Sequence, residues 1–398
     1  MNNTTFLLDG YDEYGVMGCI EQYLSITYNH EFASLSEISL DLILISEVFE
    51  YFSNKEVWLN YIYRKLESAK KLISTFYHET RLYGGLLEFA VALKLIHNST
   101  GYFAKPLGTI NKALTQSINE KINNYIQNIS SLTISDYDLI AGATGIGIYL
   151  LYMDKYFDSS MSQLNIYFSK LCSSIDEKYG WFIKYENQLK TNEEMQKYKL
   201  GHYDCGAAHG IAGPLFVLSK ICKNNISNCT AIEHILNFYA SIEYKVNDVF
   251  TWPGKVPPFQ EIPTPYVNFS WCYGYTGIYN SIFSAYTALG YEKQKNRLLE
   301  NSIKLWQKMV VSQSMTYLRS YGLCHGYAGV LCGMTRTFNL TNEKDLIQNI
   351  FLLRRFIISN LQKINNNVSL LEGMQGVLLA LLHSIKNNTK FDLLLLLK

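Results

Sequence analysis

The chain has 398 residues, 48% apolar and only 17% charged, with a net charge of +1. Such a balance allows a large buried core, and the lack of a basic stripe excludes nucleic-acid binding as the main task. No apolar run approaches the ~20 residues that span a bilayer, and Met1 to Gly10 lacks the regions of a signal peptide, so the expected setting is the cytoplasm. The eight cysteines then read as free thiols or metal ligands rather than a disulfide framework.

In chain order, residues 1–70 hold two apolar segments, Ile38 to Phe52 and Val57 to Leu66, that suit outer helices or one helix pair. A Gly-x-x-Gly unit then recurs. It is degenerate at Gly85, where Glu88 takes the place of the second glycine. It is complete at Gly142, Gly210, Gly274, Gly326 and Gly373, with spacings of 47 to 68 residues. Each copy leads into an apolar run whose length and Leu/Ala content favour a buried helix. More polar amphipathic stretches, such as Asn296 to Val311, separate the copies. Two helices per repeat predict an all-α fold, an α/α toroid or double-layered α/α barrel, over residues 1–398 as one domain. Glycine permits close backbone approach where the inner helices start, and their exposed amides favour anions at that rim.

Two regions break the pattern. Tyr179 to Tyr203 is polar and aromatic, with a possible strand at Trp181 to Tyr185. Trp252 to Pro265 holds five of the seven prolines, which excludes helix and predicts a stiff loop over the reactive rim. A small β-containing insertion is expected within 179–203 or 250–268.

The chemistry gathers at the repeat starts. Cys272 and Cys324 each lie two residues before the first glycine of their unit, and His325 follows Cys324. In a closed array, equivalent points converge. Two thiolates and an imidazole with one open position describe a catalytic zinc site. His209 precedes Gly210 as His325 precedes Gly326. It suits proton transfer near neutral pH, with a core histidine or a fourth ligand as alternatives. Asp138, four residues before Gly142, is equally a helix cap or a catalytic carboxylate, whereas Asp136 reads as a surface group. Tyr273 and Trp271 flank a ligand and either line the pocket or pack in the core. Cys19, Cys172, Cys222, Cys229 and Cys332 read as inert thiols, while Cys205 is left open. No Walker loop or Rossmann fingerprint is present.

Ala208-His209-Gly210, Trp271-Cys272-Tyr273-Gly274 and Cys324-His325-Gly326, in that order on the glycine repeat, resemble the LanC family of lanthionine synthetase C-like cyclases. The resemblance implies a toroid with a central zinc held by Cys272, Cys324 and His325. It also implies acid/base roles for His209 and Asp138, with Tyr273 beside them as a further catalytic candidate. The implied reaction adds cysteine thiols to dehydroalanine or dehydrobutyrine in a lantibiotic precursor of leader and core. The partners implied are a dehydratase, the peptide exporter and, through that complex, the membrane. The chain departs from the family pattern at Asn268, where many members have Arg, and at Thr276, where Pro is usual. Two rival readings are a non-catalytic zinc or thiol-peptide-binding toroid and a carboxylate glycosidase using Asp138 and Glu372. The second leaves the cysteines and His325 unexplained.

Overall fold

Half-buried and fully buried helices alternate along the chain. The structure is a computed structural model that describes residues 10–398 apart from 29, 31–33, 77–78, 154–156, 176–177, 189–190, 223–225, 259–265, 312–317, 319, 365–367 and 387. Among the described residues the long helices form outer–inner pairs. They are α1 (Gly10–Thr27) with α2 (Leu35–Val48), α3 (Lys55–Phe76) with α4 (Leu86–Thr100), and α5 (Ala104–Gln127) with α7 (Ala143–Tyr152). Next come α8 (Asp158–Leu171) with α10 (Ala212–Ile221), and α11 (Ile226–Ser241) with α12 (Tyr275–Leu289). The last are α13 (Glu292–Val311) with α14 (Tyr327–Thr341) and α15 (Asp345–Ile358) with α16 (Met374–His383). Two short helices, α6 (Ile134–Tyr137) and α9 (Asn192–Lys197), lie in connections.

The two layers follow from side-chain pattern. Helix α13 buries Leu298, Ser302, Leu305, Trp306 and Met309 along one stripe and turns Lys293, Arg297 and Glu300 outward, as a helix covering a core should. Helix α7 is apolar on all sides and buried nearly throughout. The inner helices contact one another in the order α2, α4, α7, α10, α12, α14, α16, and α16 returns to α2. The fold is therefore the expected α/α toroid. The apolar segment from Ile38 belongs to inner helix α2, which with α1 supplies the seventh pair, and Val57 to Leu66 lies on outer helix α3.

The repeated glycines have a steric cause. A Cβ on Gly277 would lie 2.1 Å from the Trp271 carbonyl oxygen, and one on Gly329 would lie 2.1 Å from that of Leu323. In both cases the obstructing carbonyl is six residues earlier. The segment before each inner helix folds back against the helix's first turn, and only glycine leaves it room.

The strands are short: β1 (Ser174–Ile175), β2 (Lys178–Tyr179), β3 (Phe182–Ile183), β4 (His202–Asp204), β5 (Tyr244–Val246), β6 (Val249–Thr251) and β7 (Lys255–Val256). Strands β3, β4 and β7 form one antiparallel sheet, pairing Phe182 with Tyr203 and Tyr203 with Val256. The two regions that break the repeat thus meet in one sheet. The predicted strand at Trp181 to Tyr185 is confined to Phe182–Ile183, and Tyr185 begins a 3₁₀ turn. Part of the proline-rich loop, 259–265, lies outside the described residues.

The Leu393 to Leu397 run packs inside the ring. Leu394, Leu395 and Leu396 have no exposure. Their segment is held by Tyr83, which donates to the Leu394 carbonyl, and by Trp271 Nε1, which donates to Leu395 O at 2.8 Å. Tyr152 donates to Lys390 O at 3.0 Å, so several repeats grip one apolar plug. No helix among the described residues is long and apolar enough to cross a membrane.

Candidate metal and proton-transfer site

A ring of backbone hydrogen bonds sets the site. Leu82 N–H donates to Ile140 O at 3.0 Å, Leu139 to Ala208 at 2.9 Å, Ala207 to Cys272 at 2.7 Å, Trp271 to Cys324 at 3.0 Å, and Cys324 to Leu371 at 3.0 Å. The six starts from the Gly85 repeat to the Gly373 repeat are thereby stitched one to the next along the rim. The residue before the first glycine of each unit is Gly84, Ala141, His209, Tyr273, His325 or Glu372. The functional candidates thus occupy neighbouring places in one circular register.

The structure brings Cys272, Cys324 and His325 together, with one donor atom from each within 4.8 Å of the others. His325 Nε2 is 3.1 Å from Cys272 Sγ and 4.0 Å from Cys324 Sγ. Ion–ligand bonds of about 2.0–2.3 Å bridge such separations. The two sulfurs are buried, whereas the His325 side chain is 60% exposed, so the group is open on its imidazole side. Cys272 has a lowered pKa, first because Cys324 donates a hydrogen bond to its thiolate, against burial, and then because His325 stands beside it. The same sulfur–sulfur contact pushes the Cys324 thiol up.

Sequence reasoning missed the partner of His325. Glu372 Oε1 is 3.3 Å from His325 Nδ1, and Ser320 Oγ donates to Glu372 Oε2 at 3.0 Å. A carboxylate on Nδ1 turns Nε2 toward the sulfurs, the support that metal-ligating histidines ordinarily have. The available signal was register: Glu372 precedes Gly373 as His325 precedes Gly326.

Asp138 is not the N-cap of α7, a place taken by Gly142 without a side-chain cap bond; it braces the turn before that helix and partners His209. Its Oδ1 accepts the N–H groups of Ala141 and Gly142, each at 2.8 Å, and its Oδ2 lies 2.7 Å from His209 Nδ1. Burial disfavours the His209 imidazolium, but the hydrogen bond and charge of Asp138 outweigh it and the His209 pKa is raised. The carboxylates weighed as a glycosidase pair are thus each bonded to a different histidine. Asp136 does more than solvate the surface, since it completes a capping box with Thr133 on α6.

Tyr273 connects the two groups: it follows Cys272 in the chain, and its ring centre is 6.1 Å from that of His209. Cys205 is a core thiol with no exposure, and burial raises its pKa. The departures have local duties. Asn268 Oδ1 accepts Ser270 N–H at 3.0 Å. Thr276 Oγ1 donates to Phe269 O at 2.9 Å.

Fold and site define a class: an α/α toroid with a Cys/Cys/His group able to hold a metal at its rim and a histidine–carboxylate pair one step round the ring. The family model for lanthionine synthetase C-like proteins matches residues 42–396. The chain belongs to that family. It is 25% identical to the nisin biosynthesis protein NisC of Lactococcus lactis subsp. lactis over 338 residues, covering 81% of this chain and 77% of that protein. It is 19% identical to the glutathione S-transferase LANCL1 of Danio rerio over 208 residues, 52% of this chain and 47% of that protein. The solved structure of a nisin cyclase superposes with a TM-score of 0.78 at 22% identity, covering 98% of both chains.

Proposed function

We propose that this chain is a zinc-dependent lanthipeptide cyclase. It would close lanthionine and methyllanthionine rings in a dehydrated lantibiotic precursor. The observation that carries this reading is the Cys272, Cys324 and His325 group with Glu372 behind the imidazole, in a member of the lanthionine synthetase C-like family. Two thiolates and one imidazole match the borderline-soft Zn²⁺ and leave one position for a substrate. Bound zinc would supply a Lewis acid that keeps a substrate cysteine ionised at neutral pH, where a free thiol with a pKa near ~8.5 is mostly protonated.

The protein's own residues manage the protons. Thiolate attack forms the S–Cβ bond and moves the alkene π pair into an enolate, which needs a proton at Cα. With Nδ1 committed to Asp138, His209 moves protons through Nε2, taking one from the incoming thiol and delivering one to Cα. Asp138 fixes the tautomer and the ring plane. Tyr273 lines the space between this pair and the metal group.

Dehydrated residues must exist beforehand, because nothing in the site activates Ser or Thr. A dehydratase is the implied upstream partner and the peptide exporter a downstream one. The setting would be cytoplasmic, at the membrane only through that complex. Purified protein would be assayed for zinc and for closure of a dehydrated, cysteine-containing precursor. Closure leaves the mass unchanged, so it is read by mass spectrometry after alkylating free thiols, with the uncatalysed addition subtracted. About one zinc per chain and chelator-sensitive closure are expected; metal without closure would reduce the protein to a thiol-binding toroid.

A further inference from the structure

A cation from the sheet stands beside the proton-transfer pair. Strand β7 places Lys255 opposite Asp204 in the register, and the Gly254 carbonyl accepts Cys205 N–H at 2.9 Å. This strand is therefore fastened to the segment that leads into His209. Lys255 Nζ lies 3.5 Å from Asp204 Oδ2, with the side chains 11% and 0% exposed. The same Nζ is 5.3 Å from the centre of the Tyr273 ring, within cation–π range. The approach is built in, because a Cβ on Gly254 would lie 2.8 Å from the Tyr273 carbonyl oxygen.

Burying an ammonium and a carboxylate carries a desolvation cost that an apolar pair would avoid. Stability alone is therefore a poor account of this pair. The surroundings of His209 supply another. Asp138 faces it from the α6–α7 connection and Asp204 from β4, both favouring the imidazolium, while Lys255 from β7 opposes it. The Tyr273 ring closes the remaining side.

We propose that Lys255, anchored by Asp204, is a positioning residue of the ring-closing reaction that seats the Tyr273 ring and offsets the negative charge around His209. The proposal rests on the cyclase reading above. Lys255 also keeps the buried Asp204 ionised, because burial pushes that carboxyl up to about 6 against the pull of Lys255. The effect of Lys255 on His209 itself, easing release of the imidazolium proton to the enolate carbon, is therefore read in a background where Asp204 cannot ionise.

The test uses the full-length, metal-loaded protein and three variants, Lys255→Arg, Asp204→Asn and the double variant Lys255→Met with Asp204→Asn. His209 is titrated by NMR on histidine-labelled protein, with its signal assigned by loss in His209→Ala. Single-turnover closure is then followed against pH. Asp204→Asn should move the His209 midpoint down, and adding Lys255→Met to that variant should move it back up, each on the order of one pH unit, a tenfold change in the protonation ratio. Lys255→Arg should stay near wild type, and the corresponding limb of the rate profile should follow each titration. A purely structural pair would not give opposite shifts at these two steps. Coincident titrations, or shifts of the same sign, would overturn the proposal. If the double variant does not fold, the downward shift in Asp204→Asn decides alone. Opposite His209 shifts in a wild-type background that closes no rings would retire the cyclase reading and leave the charge balance standing.

Discussion

The repeat that starts at Gly85 and the one that starts at Gly326 share a backbone plan but not a chemistry. A Cβ on Gly85 would lie 2.6 Å from Glu79 O, and one on Gly326 would lie 2.3 Å from Ser320 O, so both starts fold back on themselves in the same way. Tyr83 N–H donates to Ile140 O at 3.2 Å, as Cys324 N–H donates to Leu371 O at 3.0 Å. In the two places before the first glycine one repeat has Tyr83 and Gly84, and the other Cys324 and His325. Three places after it, one has Glu88 and the other Gly329. The toroid thus offers a row of six equivalent stations held by backbone bonds, and side-chain identity makes a station structural or chemical.

The sharpest way to break this comparison is to make the chemical repeats as silent as the Gly85 repeat. Cys272→Ala with Cys324→Ala leaves at most one imidazole and water for a metal. Zinc content should fall to background and ring closure to the uncatalysed rate, with the circular dichroism spectrum retained because the rim ladder uses backbone groups. Full zinc occupancy in the double variant would sink the ligand assignment.

His209→Ala removes the station to which the proposed mechanism gives proton transfer and no metal duty. Zinc should stay, and single-turnover closure should slow by ~10²–10⁴-fold, the usual range for general acid–base help. Asp138→Asn should slow it less, and it should also loosen the loop, because Oδ1 receives two backbone N–H groups. A parallel loss of zinc in His209→Ala would make that residue a ligand or a support instead.

Glu372→Gln probes the support behind His325. Losing the carboxylate partner of a ligating imidazole typically costs 10–100-fold in metal affinity, which competition with a chelating dye would measure. An unchanged affinity would confine Glu372 to its contact with Ser320.

Much of this was legible because sterics leave a trace in sequence. Close backbone approach demands glycine, so the inner helices from Gly142 onward announce themselves, and their register aligns Cys272, Cys324, His325 and His209 before any coordinates. The seventh inner helix, α2, starts at Leu35 with no Gly-x-x-Gly unit, so its layer could not be told. In the sequence Glu372 pairs only with Asp138 by register, because a carboxylate does not reveal which neighbour it will bind. Strands β3, β4 and β7 are two or three residues each. Their pairing comes from distant segments, which left Lys255 unremarked beside Tyr273. The leucine run at 393–397 carries no helical period, and its role as a plug follows only from hydrogen bonds to repeats far away in the chain.

The smallest expected effect tests why the Gly85 station is silent. Glu88 is buried on the first turn of α4 and accepts a hydrogen bond from Ser36 Oγ at 2.6 Å. Burial raises its pKa from 4.5 to about 7, against the Ser36 and Gly84 hydrogen bonds that favour the anion. A carboxyl whose pKa is raised on folding contributes stability that is fully present below 4.5 and is lost as pH rises through about 7. Glu88→Gln keeps an acceptor for Ser36 and cannot ionise. The variant and wild type should therefore melt alike at pH 4, with the variant gaining on the order of 1–3 kcal/mol at pH 8. Comparing the two proteins at each pH cancels titrations they share, including that of His209. No gain at pH 8 would mean that the Glu88 anion is held as well as the acid, and that this carboxylate is a settled part of the frame rather than a strained replacement for glycine.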